Sequence, residues 1–159
     1  MHRLAKTTLL ATALLLPAGV LLAQEADESP EDLAVEMRQG HMLNFAHNLM
    51  ALGAMAQEKT AYDAATATAA AENLSHLAAI HWDYYWPEGT SNADRQDTGA
   101  LPAIWENMDD FNAKHEALQQ AVANLQTAAG TDLASLQGAM GDVGKACGGC
   151  HETYRAKEE

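Results

Sequence analysis

Basic residues are scarce in this chain, and so are cysteines and long apolar segments. Nine lysines and arginines accompany 22 aspartates and glutamates, which gives 159 residues a formal net charge of −13. Such an acidic surface repels nucleic acid and anionic lipid and favours basic partners. After residue 23, no stretch is long and apolar enough to anchor the chain in a membrane. These shortages exclude a nucleic-acid-binding protein and leave an acidic globular domain.

Strand patterns are also lacking, whereas apolar residues recur at helical spacing. Along the first such segment, Val35, Arg38, Met42, Phe45 and Leu52 fall within one stripe about 100° wide at about 100° per residue. This pattern predicts an amphipathic helix whose stripe faces the interior.

Residues 1–23 have the pattern of a secretory signal peptide, with Arg3 and Lys6 before a short apolar run. We predict cleavage at the end of this segment, with cleavage after Ala26 as the alternative. Only two basic residues are removed, so the net charge becomes −15. Residues 24–159 then form a single domain, which we expect in the periplasm without a membrane anchor.

The mature chain is predicted to be all-α, an antiparallel up-down-up-down four-helix bundle. The predicted helices are Glu31–Glu58, Asp63–Trp82, a third that begins near Pro102 and ends before Gly130, and a fourth from about Asp132 into the C-terminal motif. Ser29 and Asp63 are suitable N-caps. The one long connection is "DYYWPEGTSNADRQDTGA", which is rich in turn-forming residues. We refer to it below as the connection.

Both cysteines lie in "GKACGGCHETYRAK", in which Cys147, Cys150 and His151 form a C-x-x-C-H motif. This is the attachment signature of c-type haem. On a helix, positions i and i+3 share a face, so both sulfurs can reach the vinyl groups on one edge of a porphyrin. His151 at i+4 then serves as an axial ligand of the iron. The last predicted helix contains five glycines, at positions 138, 141, 144, 148 and 149; they are poor helix formers, so we expect a bulky group close to the backbone.

Three other sites would use the same residues. A zinc site would need four ligands, and the remaining histidines show no suitable spacing with this motif. A thioredoxin-like redox pair would follow a strand, which is not predicted here. A plain disulfide would leave His151 without a role.

At this point the sequence resembles the class II c-type cytochromes, the cytochrome c′ group, over essentially the whole mature chain. The matching segments are "MRQGHM", "WPEGT", "LPAIWENMDDF" and "VGKACGGCHETYRAK". The resemblance implies a periplasmic bundle, frequently a homodimer, with one haem c attached through Cys147 and Cys150 and an axial ligand at His151. In such a dimer the outer faces of the first two helices would meet.

The resemblance also assigns residues beside the haem. Arg38 and Gln39 correspond to an Arg-Gln pair of the family, and a guanidinium suits a propionate carboxylate. Arg155 corresponds to an arginine near the proximal face. We also expect the aromatic residues at the start of the connection to wall the pocket; they are Trp82, Tyr84, Tyr85 and Trp86.

Met42 decides between two functions, because some relatives have an iron-binding methionine here and others leave the sixth site vacant. A bound Met42 would give a one-electron carrier that serves redox partner proteins. A vacant site would give a haem protein that binds nitric oxide or carbon monoxide. His41 and His47 project about 100° and 140° away from Met42 and are predicted to be surface residues. An enzyme such as a peroxidase is not predicted, because Met42 and its apolar neighbours offer no distal acid-base group.

Overall fold

The computed structural model describes residues 29–157, which form helices and contain no strand. The helices are α1 (Pro30–Ala56), α2 (Ala64–Ala78), α3 (Ala103–Glu106), α4 (Met108–Ala128) and α5 (Leu133–Tyr154). The four long helices form a ring in which each packs chiefly against two others. The predicted four-helix bundle is therefore confirmed. The predicted signal peptide lies outside the described residues.

The predicted helix starts follow from side chains that cap them. The Ser29 hydroxyl accepts a hydrogen bond from the Asp32 N–H at 3.1 Å, and the Asp32 carboxylate accepts one from the Ser29 N–H at 3.3 Å. This reciprocal pair is a capping box. Asp63 and Asp132 are the N-caps of α2 and α5, and one carboxylate oxygen of each accepts a single hydrogen bond from a backbone N–H at 2.7 Å.

Two helix boundaries were predicted wrongly. Helix α2 ends at Ala78, not at Trp82, because Trp82 leaves the helix and stacks on Phe111 with ring centroids 5.4 Å apart. The predicted third helix is two helices, since the backbone at Asn107 turns to φ −143° and ψ 58°. Helix α3 is separate from α4 and is hydrogen-bonded to the connection, because the Trp105 indole N–H donates to the Trp86 carbonyl at 3.0 Å.

The core has two parts. In the first, leucines from all four long helices are fully buried; they are Leu52, Leu74, Leu125 and Leu136. The second lies where the connection meets α3, α4 and the end of α5, and contains Trp82, Ala100, Ile104, Phe111 and Tyr154. Two backbone hydrogen bonds join this end of the connection to the end of α5 and the residues after it, from Leu101 N–H to Tyr154 O at 3.0 Å and from Ala156 N–H to Gly99 O at 2.8 Å.

Candidate functional site

A cavity of about 540 Å³ lies between α1, the connection, α4 and α5. This volume falls in the range of small-molecule and cofactor sites. All of the residues that the sequence assigned to the site line this cavity; they are Arg38, Gln39, Met42, Cys147, Cys150, His151 and Arg155. Of the expected aromatic wall, Trp82 and Trp86 line the cavity, whereas Tyr84 is exposed.

The C-x-x-C-H motif occupies the last turns of α5, with its reactive side chains in the cavity wall. Cys147 and Cys150 are free, half-buried thiols whose pKa values are raised by burial. Burial, aided by the positive charge of Arg155, lowers the pKa of His151. A lowered pKa favours the neutral imidazole, which is the form that binds a metal.

The glycines of α5 do not serve contacts between helices. A Cβ atom added at Gly144, Gly148 or Gly149 would have no protein atom within 4 Å, apart from the helix itself and the adjacent residues. Small residues at these positions are therefore not required by the packing of the described chain against itself. They are compatible with a flat group that approaches the helix backbone, as the sequence predicts.

Alternative uses of the two thiols find no support. No group of three or more His, Cys, Asp or Glu side chains within residues 29–157 could hold a metal ion by itself. The strand that precedes a thioredoxin-like redox pair is also missing from that part of the chain.

Arg38 lies in the cavity wall and is also hydrogen-bonded to the connection. Its terminal nitrogens donate to the Tyr85 carbonyl (3.1 Å), the Thr90 hydroxyl (2.9 Å), the Thr90 carbonyl (2.5 Å) and the Thr98 hydroxyl (2.7 Å). These four bonds use every N–H of the guanidinium except the one on Nε. Arg38 therefore attaches the connection to α1.

Gln39 and Arg95 add to this attachment. The Gln39 side-chain amide donates to the Asp97 carbonyl at 2.5 Å. Arg95 pairs with Asp97 at 2.6 Å and with Asp32 of α1 at 2.8 Å. The hydrogen bond from Arg95 lowers the pKa of Asp97, and hydrogen bonds from Ser29 and then Arg95 lower the pKa of Asp32.

Met42 faces the cavity, as its position on the stripe of α1 predicts, whereas His41 does not lie on the surface as predicted. Met42 is partly buried, lines the cavity and packs against the second part of the core. His47 is exposed, as expected, but the prediction of a surface position for His41 is wrong, since this side chain is 6% exposed. The ring of His41 packs edge-on against Phe45 and Tyr85, with centroids 5.1 and 5.7 Å apart. The connection covers this face of α1, and sequence spacing alone did not reveal that cover.

Lys114 and His115 of α4 also line the cavity and were not predicted as site residues. They lie three and four residues after Phe111, on the apolar stripe of their helix. Two polar residues on such a stripe are the signal that could have identified them. The His115 ring lies against Trp82, with centroids 3.7 Å apart, and burial lowers its pKa to about 4.

This lowered pKa predicts acid sensitivity. Above about pH 6.5 the imidazole is neutral in both the folded and the unfolded chain. Between about pH 6.5 and 4 only the unfolded chain binds the proton, so the folded state loses stability as the pH decreases. We expect His115→Phe to reduce the stability lost between pH 7 and 4.5 by about 2 kcal/mol. The measurement is the free energy of unfolding in urea at both pH values. The same change at exposed His76 is the control, and equal effects of the two variants would contradict the prediction.

The side chains of the cavity fit haem c. Two thiols and one imidazole supply the attachment and axial groups, and apolar and aromatic side chains surround a flat macrocycle. The buried indole N–H of Trp86 has no hydrogen-bond acceptor among residues 29–157, so the wall also offers a donor to a bound group. Lys114 and Arg155 add positive charge for propionates.

Comparison with known proteins agrees with this interpretation. The family model described as Cytochrome C′ matches residues 33–155. The cytochrome c-554 of Cereibacter sphaeroides is 50% identical over 149 residues, which cover 94% of this chain and 96% of that protein.

Solved structures show the same bundle. A cytochrome c′ from Rhodobacter Spheriodes has a TM-score of 0.79 and 38% identity, and the match covers 80% of this chain and 98% of that one. A nitric oxide complex of a cytochrome c prime variant from Alcaligenes xylosoxidans has a TM-score of 0.70 and 35% identity, with 81% and 98% covered. The chain therefore belongs to the cytochrome c′ family, and its cofactor is covalently attached haem c.

Proposed function

We propose that this protein is a periplasmic mono-haem cytochrome that transfers single electrons, with His151 and Met42 as the axial ligands. The observation that carries the proposal is that these side chains line one cavity from different helices, α5 and α1. Met42 is the only thioether in the cavity wall within the described part of the chain. When bound, haem c supplies an iron that changes between the ferrous and ferric states.

The chain's own residues determine how such a group is held. Cys147 and Cys150 supply the sulfurs for two thioether bonds. The neutral His151 imidazole and the Met42 sulfur supply axial donors. Trp82, Phe111 and the apolar residues beside them limit the access of water, which is one of the means by which a protein tunes a haem potential.

Binding of nitric oxide or carbon monoxide is the second candidate function. Its support is the nitric oxide complex of the Alcaligenes xylosoxidans relative described above. In this case Met42 would be an apolar wall residue, as methionines on buried stripes often are. The sixth coordination site would then be open to a diatomic gas.

The two functions predict different responses to carbon monoxide. For an electron carrier, we expect reduced holo-protein to show a low-spin absorption spectrum that the gas does not change. Met42→Leu, a swap that cores usually tolerate, should give a high-spin spectrum that changes on addition of carbon monoxide. Met140→Leu, a change on α5 outside the cavity, is the control and should resemble wild type. Wild-type protein that binds the gas as readily as Met42→Leu would favour the second function.

We propose no catalytic reaction. A peroxidase needs an acid-base group above the iron, and the only unassigned imidazole in the cavity wall of the described residues belongs to His115. That ring is packed against Trp82, with centroids 3.7 Å apart.

The proposed setting is the periplasm, on the strength of the signal-peptide pattern in the first 23 residues. Between residues 29 and 157, no helix has the length and apolar character to cross a membrane. The strongly acidic composition favours a redox partner with a basic docking surface.

We also propose a homodimer formed through the outer faces of α1 and α2. Helix α1 exposes apolar side chains, among them Leu33 (50% exposed) and Met37 (48% exposed). Helix α2 exposes small residues such as Ala65 and Ala69, which allow close approach. Sedimentation of the holo-protein tests the assembly, and a monomer at micromolar concentration would contradict it.

A further inference from the structure

The wall of the cavity contains a buried hydrogen-bond donor that the described chain does not satisfy. The Trp86 indole nitrogen is buried and has no acceptor among residues 29–157, although Trp86 itself lines the cavity. The other indole N–H groups differ. That of Trp105 donates to the Trp86 carbonyl, and Trp86 is the only tryptophan of residues 29–157 whose indole nitrogen is both buried and unpaired. Because buried polar groups are nearly always hydrogen-bonded, an acceptor is expected beside Trp86.

The same place has a buried positive charge without a paired anion. Arg38 is 4% exposed, and no carboxylate of residues 29–157 lies within 4.0 Å of its nitrogens. The four oxygens to which it donates are neutral carbonyls and hydroxyls. A buried charge is costly unless an opposite charge compensates it.

These two observations concern neighbouring groups. The guanidinium carbon of Arg38 lies 4.7 Å from the centre of a Trp86 ring, which is a cation–π contact. An anion that accepts from the Trp86 N–H would therefore also lie near the charge of Arg38. A carboxylate supplies both the acceptor and the negative charge.

We propose that the Trp86 indole N–H donates a hydrogen bond to one propionate carboxylate of haem c, and that Arg38 is a positioning residue for this contact. Arg38 holds the connection through Tyr85, Thr90 and Thr98, on both sides of Trp86 and next to it in sequence, and places a positive charge behind the ring. The assignment rests on the bound haem c of the proposed function, and it does not depend on whether Met42 binds the iron.

A bound diatomic gas is the competing acceptor, and the charge of the site disfavours it. Nitric oxide and carbon monoxide are neutral, so they would satisfy the N–H but leave the charge of Arg38 uncompensated. A propionate provides both. The experiment below separates these acceptors.

The test is an infrared pH titration of ferric holo-protein with ¹³C in the propionate carboxyls, introduced by growth on 5-aminolaevulinate labelled at carbon 1. The labelled bands report the protonation of each propionate directly. A lost charge-assisted hydrogen bond should raise the pKa of one propionate by about one unit in Trp86→Phe. Tyr84→Phe changes an exposed ring of the connection that does not line the cavity and should leave both propionates as in wild type.

Two outcomes overturn the assignment. The first is an unchanged titration in Trp86→Phe, or an equal shift in Tyr84→Phe. The second outcome concerns the Met42→Leu variant with bound carbon monoxide. If adding Trp86→Phe to it shifts the C–O stretching band and leaves the propionate bands unchanged, the indole N–H donates to the gas.

A measurement on wild-type protein covers the case in which Trp86→Phe does not mature. The indole band in ultraviolet Raman spectra that responds to N–H hydrogen bonding should change for one of the three tryptophans at the pH where a propionate titrates. A band that stays constant through that titration would contradict the proposal. This readout is independent of carbon monoxide binding, so failure of the electron-transfer proposal would leave it interpretable.

Discussion

The double variant Cys147→Ser/Cys150→Ser is expected to lose essentially all covalently bound haem. Both thiols lie in the wall of the same cavity, at i and i+3 of α5, and serine cannot form a thioether. Each single variant keeps one thiol and should retain a single link with reduced yield. The measurement is the mass of the denatured protein after maturation in a haem-attaching host, which separates chains with and without the cofactor.

Thr153→Ser is the matched control, because Thr153 is exposed on the same helix two residues after His151 and does not line the cavity. It should carry the full haem content. Covalent haem in the double variant would show that the C-x-x-C-H motif is not the attachment site.

The second large effect is expected for Arg38→Met, which we predict to lower the free energy of unfolding by about 3 kcal/mol. The change keeps an apolar stem but leaves the acceptors at Tyr85, Thr90 and Thr98 without their donor. Burial also lowers the pKa of Arg38 to about 10, so removal of the charge relieves part of this cost. The measurement is urea unfolding of the holo-protein at pH 7.

Gln39→Met is the control for Arg38→Met. Its amide makes one exposed hydrogen bond, to the Asp97 carbonyl, so its replacement should cost less than about 1 kcal/mol. Arg38→Lys should behave more like Arg38→Met than like wild type, because an ammonium group cannot reproduce four donors in a planar fork. A loss in Arg38→Met below about 0.5 kcal/mol, which is close to RT, would mean that other contacts hold the connection.

Local signals in the sequence were sufficient for most of the bundle and for the members of the cavity wall. The caps at Ser29 and Asp63 determine where helices begin through hydrogen bonds within three residues, which a sequence shows directly. The spacing within α1 likewise placed Arg38 and Met42 on one face, and the structure puts both in the cavity wall.

The features that the sequence did not predict depend on contacts distant in sequence. The partners of Arg38 are 47 to 60 residues away, in a connection without any periodic pattern, so neither its hydrogen bonds nor the burial of His41 could be derived from spacing. The early end of α2 has the same origin, since the stacking of Trp82 on Phe111 outweighs a local preference for helix.

The two attachments of the connection have a consequence for local opening. One is the guanidinium of Arg38, and the other is the backbone pairing of Gly99 with Ala156 and of Leu101 with Tyr154. The connection can detach only if both sets of bonds break, and the second set includes the carbonyl of Tyr154, the last residue of the helix that carries the haem motif. In amide hydrogen exchange, the N–H groups of Leu101 and Ala156 should therefore exchange at one common rate, as parts of a single cooperative unit.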